Sequence, residues 1–557
     1  MDVLNYHQRT KHSISYGYAK GPESIDWDAQ PDPFRTYDGA PLIELPLAAH
    51  EVDTPWARLW QSASVNEVPL AAASAAAIDF TTLAKLLELA LGLSAWKQYG
   101  TARWSLRCNP SSGNLHPTEC YVLVRNIAGL ADGVYHYRAD LHALERRCAF
   151  APSSDVQSLV WLGFSSVHWR EAWKYGERAF RYCQHDVGHA LAAVSFAAKT
   201  LGVNSRQLAH IPIADEALAQ LLGLNRHTDF NTEARFKGDQ ELKAEQEDPD
   251  CLLTLTGEVF SQALLSDIQQ ALAQGTWQGQ ANTLDPRHMY QWPIIDEVAS
   301  ATAINHEATN IISDKIASSR DCASPWPQPL SSSVQNLAAQ LIKQRRSAQA
   351  FDPNGSMSFN DFYCLLDHCL PRIDFPPSNV LPLANKVHFL LFVHNVEGLD
   401  SGLYALPRSL SALDALKSQL RGEFNWQPVA NAPEHLPLYL LLKCSSRRTI
   451  AKLSGQQAIA GDSAFSLAMI GEFQDIEQQP WNYRHLFWQA GALGQVLYLE
   501  AEAMGLRGTG IGCYFDDAVH DMLGLKSDGP LQVLYHFTLG RPLIDNRITS
   551  WTPYRQR

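Results

Sequence analysis

Two short apolar runs, Cys120–Val124 (CYVLV) and His388–Val393 (HFLLFV), have the unbroken hydrophobic character of strands buried on both faces, and each enters a glycine turn. The segments that follow, Asn126–Tyr137 (NIAGLADGVYHY) and Asn395–Leu406 (NVEGLDSGLYAL), share Asn, Gly, Leu, Gly and Tyr at a constant offset of 269 (126 to 395). Further along, Val187, Leu191, Val194, Ala198 and Leu201 form a helical stripe closed by Gly202 as the C-terminal cap. An offset of 303 (187 to 490) finds Ala490, Gly494, Leu497, Ala501, Met504 and Gly505, with the same register and the same stop. DEALAQLLGL (215–224) and DDAVHDMLGL (516–525) come next, and then the apolar strands CLLTLTG (251–257) and VLYHFTLG (533–540).

The pattern predicts a duplicated α+β chain. Residues 1–260 form one copy and 331–557 the other. Residues 261–330 hold a helical segment, with an amphipathic helix over roughly 258–273, and a linker running into SPWPQPLSSS. Two like domains on one chain can pack as an intrachain pseudo-dimer, and each copy can then degenerate separately.

With 46% hydrophobic and 18% charged residues, the chain reads as folded rather than disordered. An excess of acids over bases, 58 against 45, gives a formal net charge of -13 and argues against a nucleic-acid partner. The richest apolar stretch, VPLAAASAAAIDF (68–80), is too short and too alanine-rich to cross a bilayer, and the polar opening MDVLNYHQRTKHS lacks a secretion signal. Ten scattered cysteines without CxxC spacing predict neither a metal site nor a disulfide scaffold. A soluble cytoplasmic protein with reduced thiols follows.

Four segments could carry chemistry. RRSAQAF (345–351) closes an apolar helix pattern, and its adjacent guanidiniums and hydroxyl could grip a phosphate, although such a helix end is also an ordinary solvated surface. NPSSGNLHPTECYVLV (109–124) carries hydroxyls, an amide and backbone N–H groups to a strand mouth. It could take a polar heterocycle or be a plain tight turn. GLRGTGIGCYFDD (505–517) has a glycine-rich turn through which backbone amides could approach a planar ligand; the first copy reads GVNSRQLAHIPIAD there, so one of the two related sites is competent. In HWREAWKYGERAFRYCQHDVGH (168–189), Lys174 and Tyr175 lie among Arg170, Arg178 and Arg181. That is either a cationic setting that lowers the pKa of a proton carrier or a basic helix face.

Together, RRSxxxF, PSSGNLHP, GxGIG and the terminal LGRP resemble the FMN-dependent nitroreductase superfamily. The opening YHQRTKHS and WKYGERAFRY are similar to its SagB/ThcOx-type branch, which includes azoline dehydrogenases. The resemblance implies two tandem nitroreductase-like domains, each with a mainly antiparallel central sheet flanked by helices, and FMN bound between them. It implies that Arg345, Arg346 and Ser347, with Gln349 beside them and help from Arg541, hold phosphate and ribityl chain. Gly510, Ile511 and Gly512 would meet the flavin N5 edge, while Pro110, Ser111, Ser112 and Asn114 reach over from the first copy. Lys174 and Tyr175 are the implied catalytic pair. Gln349 stands where the family usually has another arginine, leaving Arg541 or Arg507 to compensate, and His116 stands where it usually has Gln or Tyr.

The implied activity is hydride removal from a carbon donor, an azoline-bearing peptide or another small metabolite. The competing readings are an NAD(P)H-dependent reductase of nitroaromatics or quinones, and a flavin-binding pseudoenzyme scaffold. Whether two chains associate further stays open.

Overall fold

A computed structural model describes residues 2–61, 78–151, 158–203, 207–230, 245–257, 260–285, 287–321, 324–381 and 385–554. Most of the alanine-rich stretch 68–80 lies outside them; its end leads into the helix Phe80–Ala90, capped by Asp79.

Each half holds one central antiparallel sheet. In the first, the order is Thr276–Trp277, Ala143–Ala149, Gly133–Arg138, Thr118–Arg125, Leu159–Ser166, Asp248–Thr254 and Ala209–Ile211, with Leu42–Glu44 also pairing onto Ala143–Ala149. In the second it is Gln427–Pro428, Tyr439–Lys443, Gly402–Leu406, Val387–Val393, Phe465–Glu472, Leu531–Gly540 and Arg507–Ile511. The central strands are buried on both faces because their side chains alternate between two cores. Val122 and Val124 enter a core shared by both halves, whereas Tyr121 and Leu123 face an outer cluster. Phe389 and Leu391 repeat the arrangement against Leu390 and Phe392.

Two 22-residue helices, Ala179–Thr200 and Asn482–Ala503, run through the shared core and cross each other at Gly188 and Gly491. They start earlier than their apolar stripes do. Gly202 and Gly505 follow them with φ of +77° and +72°, which suits glycine.

The ends of the chain are exchanged between the halves. The N-terminal helix Val3–Arg9 leans on the second half, where His7 Nε2 is 3.2 Å from Gln532 Oε1. At the other end Thr549–Trp551 pairs with Leu93–Tyr99, which in turn pairs with Ala102–Arg107.

The interval 261–330 does more than connect. Its helix Gln262–Gln274 is followed by Thr276–Trp277 and Gln280–Ala281, which join strands of the first half, and then by the helices Pro293–Ala301 and His306–Asp321. The glycine segment also differs from expectation: Arg507–Ile511 is an edge strand rather than a turn. Among the described residues, no helix is long and apolar enough to cross a membrane.

Candidate active site

A cleft of about 630 Å³ opens where the halves meet. Its first-half lip is the segment Asn109–Asn114, which folds back on itself before the strand Thr118–Arg125. Gly113, Asn114 and His116 hold φ of +58°, +60° and +53°, left-handed positions that two non-glycine residues tolerate because the lip is hydrogen-bonded around them. Asn114 Nδ2 donates to Ser105 O at 3.0 Å, and the His116 backbone N–H donates to Ser111 Oγ at 2.8 Å. His116 stays neutral, since burial and the nearby Arg107 and Arg170 push its pKa well down.

The second half supplies the opposite wall. The helix Ala338–Gln344 ends as Arg345 begins, and Arg345, Arg346, Ser347 and Gln349 all line the cleft. Arg345 is buried; its Nε and Nη2 donate to Cys108 O at 3.1 Å and Arg107 O at 3.2 Å, while Nη1 has no protein partner. Arg346 is held by the protein itself, through Ser94 Oγ and O and the carbonyls of Lys343 and Arg345. Burial and the neighbouring Arg345 and Arg507 push Arg346 down to about 10, and burial with Arg346 and Arg507 likewise lowers Lys97. Four cations crowd one corner with Glu502 beside them, 3.9 Å from Arg507, an excess of positive charge that suits an anion.

Gly510, Ile511 and Gly512 also line the cleft, but their glycines serve protein packing. A Cβ on Gly510 would lie 1.9 Å from Tyr535 Oη, and one on Gly512 2.3 Å from Tyr182 Cε1. The Gly510 N–H donates to Tyr498 Oη at 2.9 Å, so it is not free for a ligand. The same hydroxyl is 3.0 Å from Ser347 Oγ, tying the arginine arm to the edge strand.

Two expected residues lie elsewhere. Arg541 is absent from the cleft wall; it leaves the strand Leu531–Gly540 toward solvent, 4.0 Å from Asp352, and of the two arginines expected to compensate for Gln349, Arg507 is the one that lines the site. Lys174 does not line the cleft either, its Nζ standing 5.6 Å from the Trp27 ring centroid and 5.4 Å from that of Tyr175. Tyr175 does face the cleft. The expected cationic setting around it is neutralised, because Arg178 and Arg181 pair with Asp516 and Arg170 with Glu119. Burial and Glu171 instead raise the Tyr175 hydroxyl well above its ordinary value, so it remains protonated.

Tyr182, Asp186 and His189, which no sequence motif singles out, project from the helix Ala179–Thr200 into the cleft at helical spacing. The polar series i, i+4, i+7 was the available signal. Nor does a motif mark the tail, where Leu543, Ile544, Ile548 and Ser550 wall the opening.

The lining fits a large polar anion. Arg345 Nη1, Asn109 Oδ1, His116 Nδ1, Asp186 Oδ2 and His189 Nδ1 are buried on cleft-lining residues and lack protein partners. Orphaned atoms at this density call for a ligand that pairs them.

A second cleft, of about 730 Å³, is related to the first by the internal duplication and is lined by Pro377, Ser378, Asn379 and Gln489. Its guanidiniums are occupied: Arg372 binds Asp367 at 2.6 Å, and Arg408 donates to Cys369 O, Val387 O and Asn385 Oδ1.

Comparison with known proteins agrees with this architecture. The Nitroreductase family matches residues 73–230 and 342–541. Trifolitoxin-processing protein TfxB of Rhizobium leguminosarum bv. trifolii is 32% identical over 133 residues, 20% of this chain and 35% of that protein. A nitroreductase-like protein of Methanocaldococcus jannaschii is 31% identical over 107 residues, 17% of this chain and 54% of its own length. The matched stretches thus span about a third and about half of those relatives. The crystal structure of a nitroreductase-like protein from Anabaena variabilis superposes with a TM-score of 0.65 at 22% identity, covering 98% of this chain and 100% of that one, so the two-half fold is shared.

Proposed function

This chain belongs to the nitroreductase family of oxidoreductases, and on that premise we propose that it is an FMN-dependent dehydrogenase of the SagB/ThcOx type. It takes a hydride from a carbon donor, with an azoline-bearing peptide as the substrate class. The observation that carries the flavin assignment is the set of five unpartnered buried polar atoms beside a four-cation corner in one inter-half cleft. The name of the trifolitoxin-processing relative favours a substrate that is processed into a product over a nitroaromatic one.

In this reading Arg345, helped by Lys97, Arg346 and Arg507, holds the FMN phosphate, and Ser347 with Gln349 meets the ribityl chain. The lip Pro110–Asn114 closes on the ring system from the first half. Flavin supplies the two-electron chemistry when bound. The protein orients the donor, excludes water with the tail Leu543–Ser550, and places Tyr175 beside the reacting carbon as a hydrogen-bond donor. Lys174 acts through Tyr175 rather than on substrate. The cytoplasm is the proposed compartment.

The test is anaerobic mixing of the yellow protein with a thiazoline-containing peptide and, separately, with NADPH. Bleaching by the peptide and slow bleaching by NADPH is the expected pair. Rapid bleaching by NADPH with none by the peptide makes the protein a reductase instead.

A further inference from the structure

The group that receives the substrate's proton needs an unpaired lone pair at the cleft and an affinity for protons near the working pH. Tyr175 stays protonated, and Lys174 is off the wall. Asp186 has the required geometry. Only 1% exposed, it accepts from Ser112 N–H and Oγ–H through Oδ1, both at 3.1 Å, and its Oδ2 has no partner although the residue lines the cleft.

Glu171 is near enough to feel the Asp186 charge; it is fully buried, with neither carboxylate oxygen hydrogen-bonded. We propose that the Asp186 carboxylate takes up the substrate-derived proton and later returns it to solvent. This rests on the dehydrogenase reading above.

The balance is simple. One C–H bond of the donor breaks with its electron pair leaving to FMN, and one X–H bond breaks heterolytically. The proton forms an O–H bond on Asp186, and the donor gains a double bond.

The groups facing Asp186 agree with this. Burial raises its carboxyl to about 7 against the lowering effects of Ser111, Ser112 and Arg107. Burial and Asp186 raise Glu171, opposed by Lys174 and accompanied by Cys513. Tyr175, Cys183 and Tyr535 each also sense the Asp186 charge and are raised, so all remain protonated at neutral pH. That leaves Asp186 as the cleft-lining carboxyl poised to exchange a proton.

Two measurements test the proposal without relying on turnover. In the flavin-free protein, the melting temperature of the wild type relative to Asp186→Asn should fall between pH 5 and pH 8, as the buried carboxyl is forced to ionise. Parallel curves overturn the assignment. In the FMN-loaded protein, spectroelectrochemical titration of the wild type should show a break in the pH dependence of the flavin midpoint potential near pH 7, worth one proton per two electrons. The break should vanish in Asp186→Asn and move upward in Ser112→Ala, which removes a donor to Oδ1. An unmoved break in both variants overturns it. Glu171→Gln exchanges a protonated carboxyl for a neutral amide and should leave the break in place; a break that vanishes there would make Glu171 the titrating group and overturn the assignment. Failure of the underlying reading shows separately, as a wild-type protein that binds no flavin.

Discussion

Gly188 and Gly491 face each other across the crossing of the two long helices, each pressed on the partner helix's backbone. A Cβ on Gly188 would lie 2.2 Å from Trp488 O, and one on Gly491 2.1 Å from His185 O. The offset of 303 that relates the glycines (188 to 491) also relates 185 to 488, so the contact is reciprocal, as at a two-fold interface. Carbonyl oxygens inside helices cannot swing aside. Gly188→Ala and Gly491→Ala should therefore each destabilise the protein by about 2–3 kcal/mol, read as a drop in denaturant midpoint. Gly422→Ala, with nothing within 4 Å, should stay within about 0.5 kcal/mol of wild type.

Arg345 lines the cleft and Arg541 does not. Removing the free Nη1 of Arg345 costs a charge-assisted contact of about 1.5–3 kcal/mol. Arg345→Ala should then weaken FMN binding roughly 10- to 100-fold in a fluorescence titration. Arg541→Ala should leave it unchanged.

Tyr498 joins Ser347 and Gly510 through one hydroxyl. Tyr498→Phe keeps the ring that Arg345 stands over at 5.0 Å but leaves the Gly510 N–H without its acceptor. An unsatisfied donor costs about 1–3 kcal/mol when buried, and the part-buried Gly510 N–H lies at the low end of that range. The FMN dissociation constant should rise about tenfold while the far-ultraviolet spectrum is retained.

The His368 imidazole makes stability fall in alkali. Burial opposes its charge, but Glu500 at 3.0 Å and Cys364 outweigh that and raise it to about 10. A pKa above the unfolded value contributes stability that is complete below about 6.5 and is lost as pH climbs through 10. Denaturation midpoints should drop between pH 7 and pH 10, by on the order of 2–4 kcal/mol from this group. His368→Gln should be less stable at pH 7 and show a flatter decline.

Much of this was legible locally. The duplication showed because buried strands and capped helices repeat their apolar spacing, and the Pro110–Asn114 lip and Arg345 showed because turn chemistry and adjacent charges are written in consecutive residues. Tyr182, Asp186 and His189 were hidden beside the apolar stripe that begins at Val187, where the hydrophobic signal dominates. Tyr498 was hidden in the same way next to Leu497. Lys97 and Ser550 meet only because the tail pairs with a strand some 450 residues earlier, which no local pattern encodes. Arg541 was misplaced because a motif fixes order along the chain and not the direction in which a residue leaves its strand.

The proposed state is one flavin per chain, gripped by parts of both halves. Extraction of the purified protein and quantitation of its flavin, set against protein concentration, tests it most directly. One FMN per chain is expected, lost in the Arg345→Ala/Arg346→Ala double variant. Two per chain would give the second cleft a flavin it is not built to hold, and a colourless protein that takes up no added FMN would contradict the account outright.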